Sequence, residues 1–99
     1  MRAFFKSIAS SSSGNAHIIR AGDNTVLVDC GLSIRKLVAG LNECEITLDE
    51  IDYVFITHTH TDHVAGLYGL LRKCSPKVFG PPSLRFELSG YEANFVSLK

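Results

Sequence analysis

The chain has 99 residues, 45% of them hydrophobic and 20% charged, which allows one small domain with a single core and excludes a disordered chain. Ten basic and ten acidic residues cancel to a formal net charge of zero, so no overall field draws it to nucleic acid or anionic lipid, although local patches can still act. Met1–Lys6 lacks the long apolar stretch of a signal peptide, and no apolar run approaches the roughly 20 residues that span a bilayer.

The first segment, Ala3–Ile8, reads as a short strand, and the serine-rich Ser10–Asn15 reads as a loop by composition. Ala16–Arg20 and the β-branched Thr25–Val28 form an antiparallel hairpin across the turn Gly22-Asp23-Asn24. Ser33 caps a helix in which Ile34, Leu37, Val38 and Leu41 repeat at helical spacing, with Gly40 marking its fraying end. A capped turn at Thr47–Ile51 feeds a strand over Asp52–Ile56, apolar enough to expect cover on both faces. Val64, Leu67, Leu70 and Leu71 line a second helix ending near Cys74, and Lys77–Phe79 forms a strand stopped by Gly80-Pro81-Pro82. The tail holds a short helical turn and a weak strand at Asn94–Leu98. Strands first, then strand and helix alternating, predict an α/β (α+β) unit over residues 1–99: a mixed sheet of four to six strands with helices on one face.

Cys30, Cys44 and Cys74 are odd in number and include no C-x-x-C pair, so they read as reduced thiols and the expected location is the cytoplasm. Cys30 can be read as a thiolate ligand, but a small buried residue at a strand end is the simpler reading.

Chemistry concentrates at one place. His58-Thr59-His60-Thr61-Asp62-His63 holds three of the four histidines where a strand gives way to a helix. His58, His60 and Asp62 fall at period two, which sends them to the same side of an extended segment, and His63 breaks that period as the chain turns. Neutral imidazole and carboxylate suit Zn²⁺, with Mn²⁺ and Fe²⁺ as alternatives, and the pattern suits two adjacent metals. A metal there lowers the pKa of a bound water to about 7. The competing reading is a polar loop in which Asp62 only caps the following helix; one carboxylate can do both. His17, upstream on a strand, reads as an ordinary sheet residue.

Thr57-His58-Thr59-His60-Thr61-Asp62-His63-Val64-Ala65-Gly66 resembles the H-x-H-x-D-H signature of the metallo-β-lactamase superfamily, flanking Thr and Gly included. Leu27-Val28-Asp29-Cys30-Gly31 resembles the L-I-D-x-G strand end that precedes it there. Ser7–Asn15 resembles the S-x-x-S-G-S-S-G-N opening of the YycJ/WalJ-like subgroup. The resemblance implies an αββα sandwich, with His58 and His60 on one metal and Asp62 and His63 on the other. It implies a catalytic role for Asp62 in orienting the attacking hydroxide. Asp29 would steady a ligand by hydrogen bond, the alternative being a strand-end turn carboxylate. The Ser10–Asn15 loop lies either beside the site or in solvent.

Complete members of that family have two similar halves, and the second supplies a further His, a bridging Asp and a final His. No histidine follows His63 here, so each metal would have two ligands from this chain, short of the usual three. The chain therefore reads as the N-terminal half of the sandwich. Its sheet would need the second half, or self-association, to cover it. The subgroup implies a metal-dependent phosphodiesterase, a 5′-to-3′ DNA exonuclease in complete form, with DNA as substrate. Arg35-Lys36 and Arg72-Lys73 with Lys77 are small basic groups that offer thin support for DNA contact, and they read more simply as solvated helix faces. The other readings are hydrolysis of a small ester, thioester or lactam, or a truncated non-catalytic metal-binding fragment.

Overall fold

The computed structural model describes residues 3–11, 14–57, 66–88 and 90–97. Its spine is a six-stranded sheet whose spatial order follows the chain: Ala3–Ser11 (β1), Gly14–Ala21 (β2), Asn24–Val28 (β3), Tyr53–Phe55 (β4), Lys77–Gly80 (β5) and Phe95–Ser97 (β6). β1 to β3 form an antiparallel meander, and β3 to β6 pair in parallel. Parallel neighbours need crossovers, and these carry the helices Ile34–Glu43 (α1) and Leu67–Leu71 (α2).

The expected hairpin and helix starts are present. Ser33 Oγ accepts the Lys36 N–H at 3.4 Å at the start of α1, and the Glu50 carboxylate accepts the Thr47 N–H at 2.8 Å at the 3₁₀ turn Leu48–Glu50. Three expectations shift. The serine-rich segment is mostly strand: Ser10 pairs with Asn15 and Ser11 with Gly14, because a register irregularity between Ser7 and Ala9 lets pairing continue past Ile8. Gly40 lies inside α1, where a Cβ would come within 2.5 Å of Ile8 Cγ2, so the glycine permits close contact with β1. The second helix is described only from Leu67 and ends before Cys74, whose N–H returns to the Leu70 carbonyl.

One face of the sheet carries the core. Ala16, Ile18, Leu27, Val54, Val78 and Phe95 meet Leu37 and Leu41 of α1 and Leu67, Leu70 and Leu71 of α2, all buried. Each such aliphatic side chain contributes about 1.5–3 kcal/mol through burial. The alternate residues point the other way. Ile19, Tyr53, Phe55 and Val96 are each more than a third exposed, and Phe5 is 64% exposed. Register places Phe5, Ile19, Val26 and Tyr53 in one row, and His17, Val28, Phe55, Phe79 and Val96 in the next. Phe55 meets Phe79 edge-on at 5.0 Å, with Tyr53 6.0 Å from the same ring. Among the described residues β4 is covered on its Val54 side and exposed at Tyr53 and Phe55, so its second apolar face awaits the cover that the sequence assigns to a second half or a second copy. Helices on one face, as expected, leave the other open. No helix among the described residues is long and apolar enough to cross a membrane.

Candidate metal centre

Because β3 and β4 run in parallel, their C-terminal ends lie side by side, and the chain leaves both on the same edge of the sheet. At that edge Asp29 N–H donates to the Phe55 carbonyl at 2.7 Å, extending the ladder by one bond. The backbone then turns sharply: Asp29 has φ 64°, a left-handed conformation that costs most L-residues about 1–2 kcal/mol and that aspartate tolerates.

The turn carries the Asp29 carboxylate across to the end of β4. Its Oδ1 accepts the Thr57 N–H at 2.8 Å, and the Thr57 hydroxyl lies 2.8 Å from Oδ2 and 3.1 Å from Oδ1. Asp29 is 4% exposed, so these charge-assisted bonds replace the water it has lost. Thr57 is covalently joined to His58, so the carboxylate holds the residue that enters the histidine cluster.

The next residues join two more segments to this edge. Gly31 N–H donates to the Asn15 carbonyl at 2.9 Å, which brings the β1–β2 hairpin tip beside the end of β3. Gly66 N–H donates to the Cys30 carbonyl at 2.8 Å, and the Gly66 carbonyl accepts the Leu70 N–H at 3.0 Å as α2 begins. Asn15 of the Ser10–Asn15 segment lies beside the end of β3, and the distance from that segment to the expected donors falls outside the described residues.

The expected donors His58, His60, Asp62 and His63 lie outside the described residues. Among the described residues no three His, Cys, Asp or Glu side chains gather as a metal site. His17 is half-buried on the open face, stacked on Phe5 at 5.7 Å, and its Nδ1 has no hydrogen-bond partner among the described residues. Cys30 is fully buried, and its thiol is pushed up to about 12 by burial first, then by Cys74 and Asp29. That environment disfavours a thiolate and agrees with the reading of Cys30 as a packed small residue. Arg35, Lys36, Arg72, Lys73 and Lys77 lie on the surface. Sequence reasoning missed the Cys30 carbonyl and the structural work of Gly66; the flanking Thr and Gly of the cluster were the signal.

Residues 11–99 match the family model of the metallo-beta-lactamase superfamily. The chain belongs to that superfamily. It is 39% identical over 66 residues to exodeoxyribonuclease WalJ of Streptococcus pneumoniae serotype 2 (strain D39 / NCTC 7466), covering 67% of this chain and 24% of that protein. It is 33% identical over 75 residues to exodeoxyribonuclease YycJ of Bacillus anthracis, covering 76% of this chain and 28% of the relative. Among solved structures, the Rm3 metallo-beta-lactamase superposes with a TM-score of 0.73 at 23% identity, over 85% of this chain and 32% of the other. The superfamily fold is thus shared, and the chain spans about a quarter of the length of these curated relatives.

Proposed function

We propose that this chain carries the entry half of a metal-dependent hydrolase site of the metallo-β-lactamase fold, whose complete form is a DNA exonuclease. The observation that carries the reading is the Asp29–Thr57 contact, a buried carboxylate that fixes the backbone immediately before the histidine cluster. A carboxylate in that place does not serve the hydrophobic core. It ties down Thr57, the residue that precedes His58. The two exodeoxyribonuclease relatives support the nucleic-acid substrate.

The donor chemistry fits a divalent metal: three imidazoles and one carboxylate, on a segment whose two flanking residues are bonded to one dipeptide. His58 and His60 would hold one ion and Asp62 and His63 the other, with Zn²⁺ the expected metal and Mn²⁺ or Fe²⁺ the alternatives. When bound, the metal supplies Lewis-acid polarisation of a phosphate oxygen and an activated water near neutral pH. Asp62 would orient the attacking oxygen by accepting a hydrogen bond from it. Asp29 would hold the Thr57 end in register ahead of His58.

The open sheet face belongs to the same reading. Either the remainder of the sandwich or a second copy of the chain covers Phe5, Ile19, Tyr53, Phe55 and Val96, in a cytoplasmic protein.

A nuclease assay on single-stranded and duplex DNA, run with the 99-residue chain and with a longer parent protein, tests the proposal. Metal-dependent cleavage by the parent that disappears in His58→Ala and Asp62→Ala supports it. Cleavage that survives both substitutions overturns it, and turnover of a lactam or thioester with DNA untouched would redirect the substrate.

A further inference from the structure

The residues before and after the eight-residue segment 58–65 are bonded to one dipeptide. Asp29 takes Thr57 through its side chain, and Cys30 takes Gly66 through its carbonyl at 2.8 Å. Consecutive residues of a rigid strand end cannot move independently, so the two anchors form one unit. Fixing both ends of a segment removes part of the conformational freedom that its donors would otherwise lose on binding a ligand.

Gly66 is the tight side of this clamp. It is buried, and a Cβ built there would overlap the Leu32 carbonyl oxygen, with the Leu32 carbonyl carbon at 3.0 Å and the Cys30 carbonyl oxygen at 3.4 Å. These are backbone atoms, which cannot rotate away as a side chain would. Its φ of −96° is open to any residue, so the glycine is required by close approach and not by conformation. Gly69, three residues on, is different: a Cβ there would make an ordinary contact with Ile34 Cβ at 3.4 Å.

We infer that Gly66 is a positioning residue for the metal centre, and that the Asp29–Cys30 dipeptide and Gly66 together set the metal affinity of the cluster by holding its two ends in register. The inference rests on the metal-centre reading above. In Gly66→Ala the added methyl pushes the α2 start away from the Leu32 carbonyl and breaks the Gly66–Cys30 bond. The downstream end of the donor segment then shifts relative to the end that Asp29 holds.

The test uses the 99-residue chain with cobalt(II) as the spectroscopic probe and zinc as competitor. Gly66→Ala, Thr57→Val and Gly69→Ala are compared with the wild type below each variant's thermal midpoint, with folding checked by circular dichroism. Thr57→Val removes only the hydroxyl side of the clamp, so it keeps the test open if Gly66→Ala does not fold. Removing partners that orient ligands typically weakens metal binding about 10–100-fold. Gly66→Ala is expected to lose affinity in that range with an altered cobalt spectrum, Thr57→Val to lose less, and Gly69→Ala to match the wild type. Amide hydrogen exchange reads the clamp without metal: Thr57 and Gly66 N–H are protected in the wild type, and Gly66→Ala exposes both. Wild-type affinity and spectrum in folded Gly66→Ala or, where that variant does not fold, in Thr57→Val would overturn the inference while leaving the metal centre standing. A wild type with both amides protected that binds neither metal would overturn the underlying reading, and the inference with it.

Discussion

Asp29 and Thr57, 28 positions apart in sequence, share two short hydrogen bonds at 2.8 Å across the ends of two parallel strands. The acceptor is a buried carboxyl group, the donors are a backbone N–H and a hydroxyl, and the backbone of Asp29 is left-handed to make the reach. Removing the carboxylate takes this acceptor from both donors. Asp29→Ala is expected to cost about 1–3 kcal/mol for the lost acceptor and roughly 1–2 kcal/mol more for a left-handed alanine. Asp29→Asn keeps the turn and one acceptor, so it should lose less. Urea denaturation of the three proteins checks the order, and equal midpoints for Asp29→Ala and wild type would remove the contact from the stability argument.

The histidine cluster makes a prediction about stoichiometry. With two donors per ion, the isolated chain should bind zinc weakly. A chelator should strip the metal without unfolding the sheet, because an apolar core holds the strands and helices together without it. His58→Ala should abolish one class of site and leave the second. Metal analysis after dialysis, paired with circular dichroism before and after chelation, reads both. Two zinc ions held through dialysis by a monomer would contradict the two-donor count.

Cys30 sets a pH dependence whose sign is fixed by burial. The folded thiol is pushed up to about 12 from 9.0, so above pH 9 the unfolded chain releases a proton that the folded chain keeps. The unfolded state then binds fewer protons, and stability falls as pH rises between about 9 and 12; below 9 the thiol contributes no slope. The slope is at most about 1.4 kcal/mol per pH unit, and Cys30→Ala should flatten it even though the smaller side chain lowers stability at every pH. Cys74 is shifted upward as well, first by burial and then by Asp49. A disulfide-exchange reagent at about pH 8 should label partly exposed Cys44 readily and Cys30 only after unfolding. Rapid labelling of Cys30 in the native chain would refute its burial.

The open sheet face predicts association. Ile19 sits between Phe5 and Val26 in a row of apolar side chains, so Ile19→Lys places a charge in the middle of any surface that docks there. The isolated chain should sediment as more than a monomer across a concentration series, and Ile19→Lys should move it towards the monomer with little change in thermal midpoint. A wild-type chain that stays monomeric at every concentration would show that the face needs no cover.

Much of this molecule is legible from local pattern. The β2–β3 hairpin follows from β-branched alternation around Gly22, the start of α1 from Ser33 and the Leu37–Leu41 spacing, and β5 from Val78 and Phe79 before a Pro pair. The serine run misled because composition reports solvent preference, whereas pairing across a tight hairpin is decided by the partner strand. β4 marks a related boundary. Tyr53-Val54-Phe55-Ile56 says that both faces are apolar, but not whether this chain supplies both covers.

The sequence by itself supplied the candidate donors, because donor type and spacing in His58–His63 are properties of the residues and need no fold to be recognised. Only the tertiary structure decided how the residues that flank that segment are held. The parallel pairing of β3 with β4 puts Asp29 beside Thr57, and the return of the chain at Gly66 puts its N–H on the Cys30 carbonyl. Contacts between residues 28 and 36 positions apart leave no local signature, since they depend on which strands become neighbours when the core face is buried.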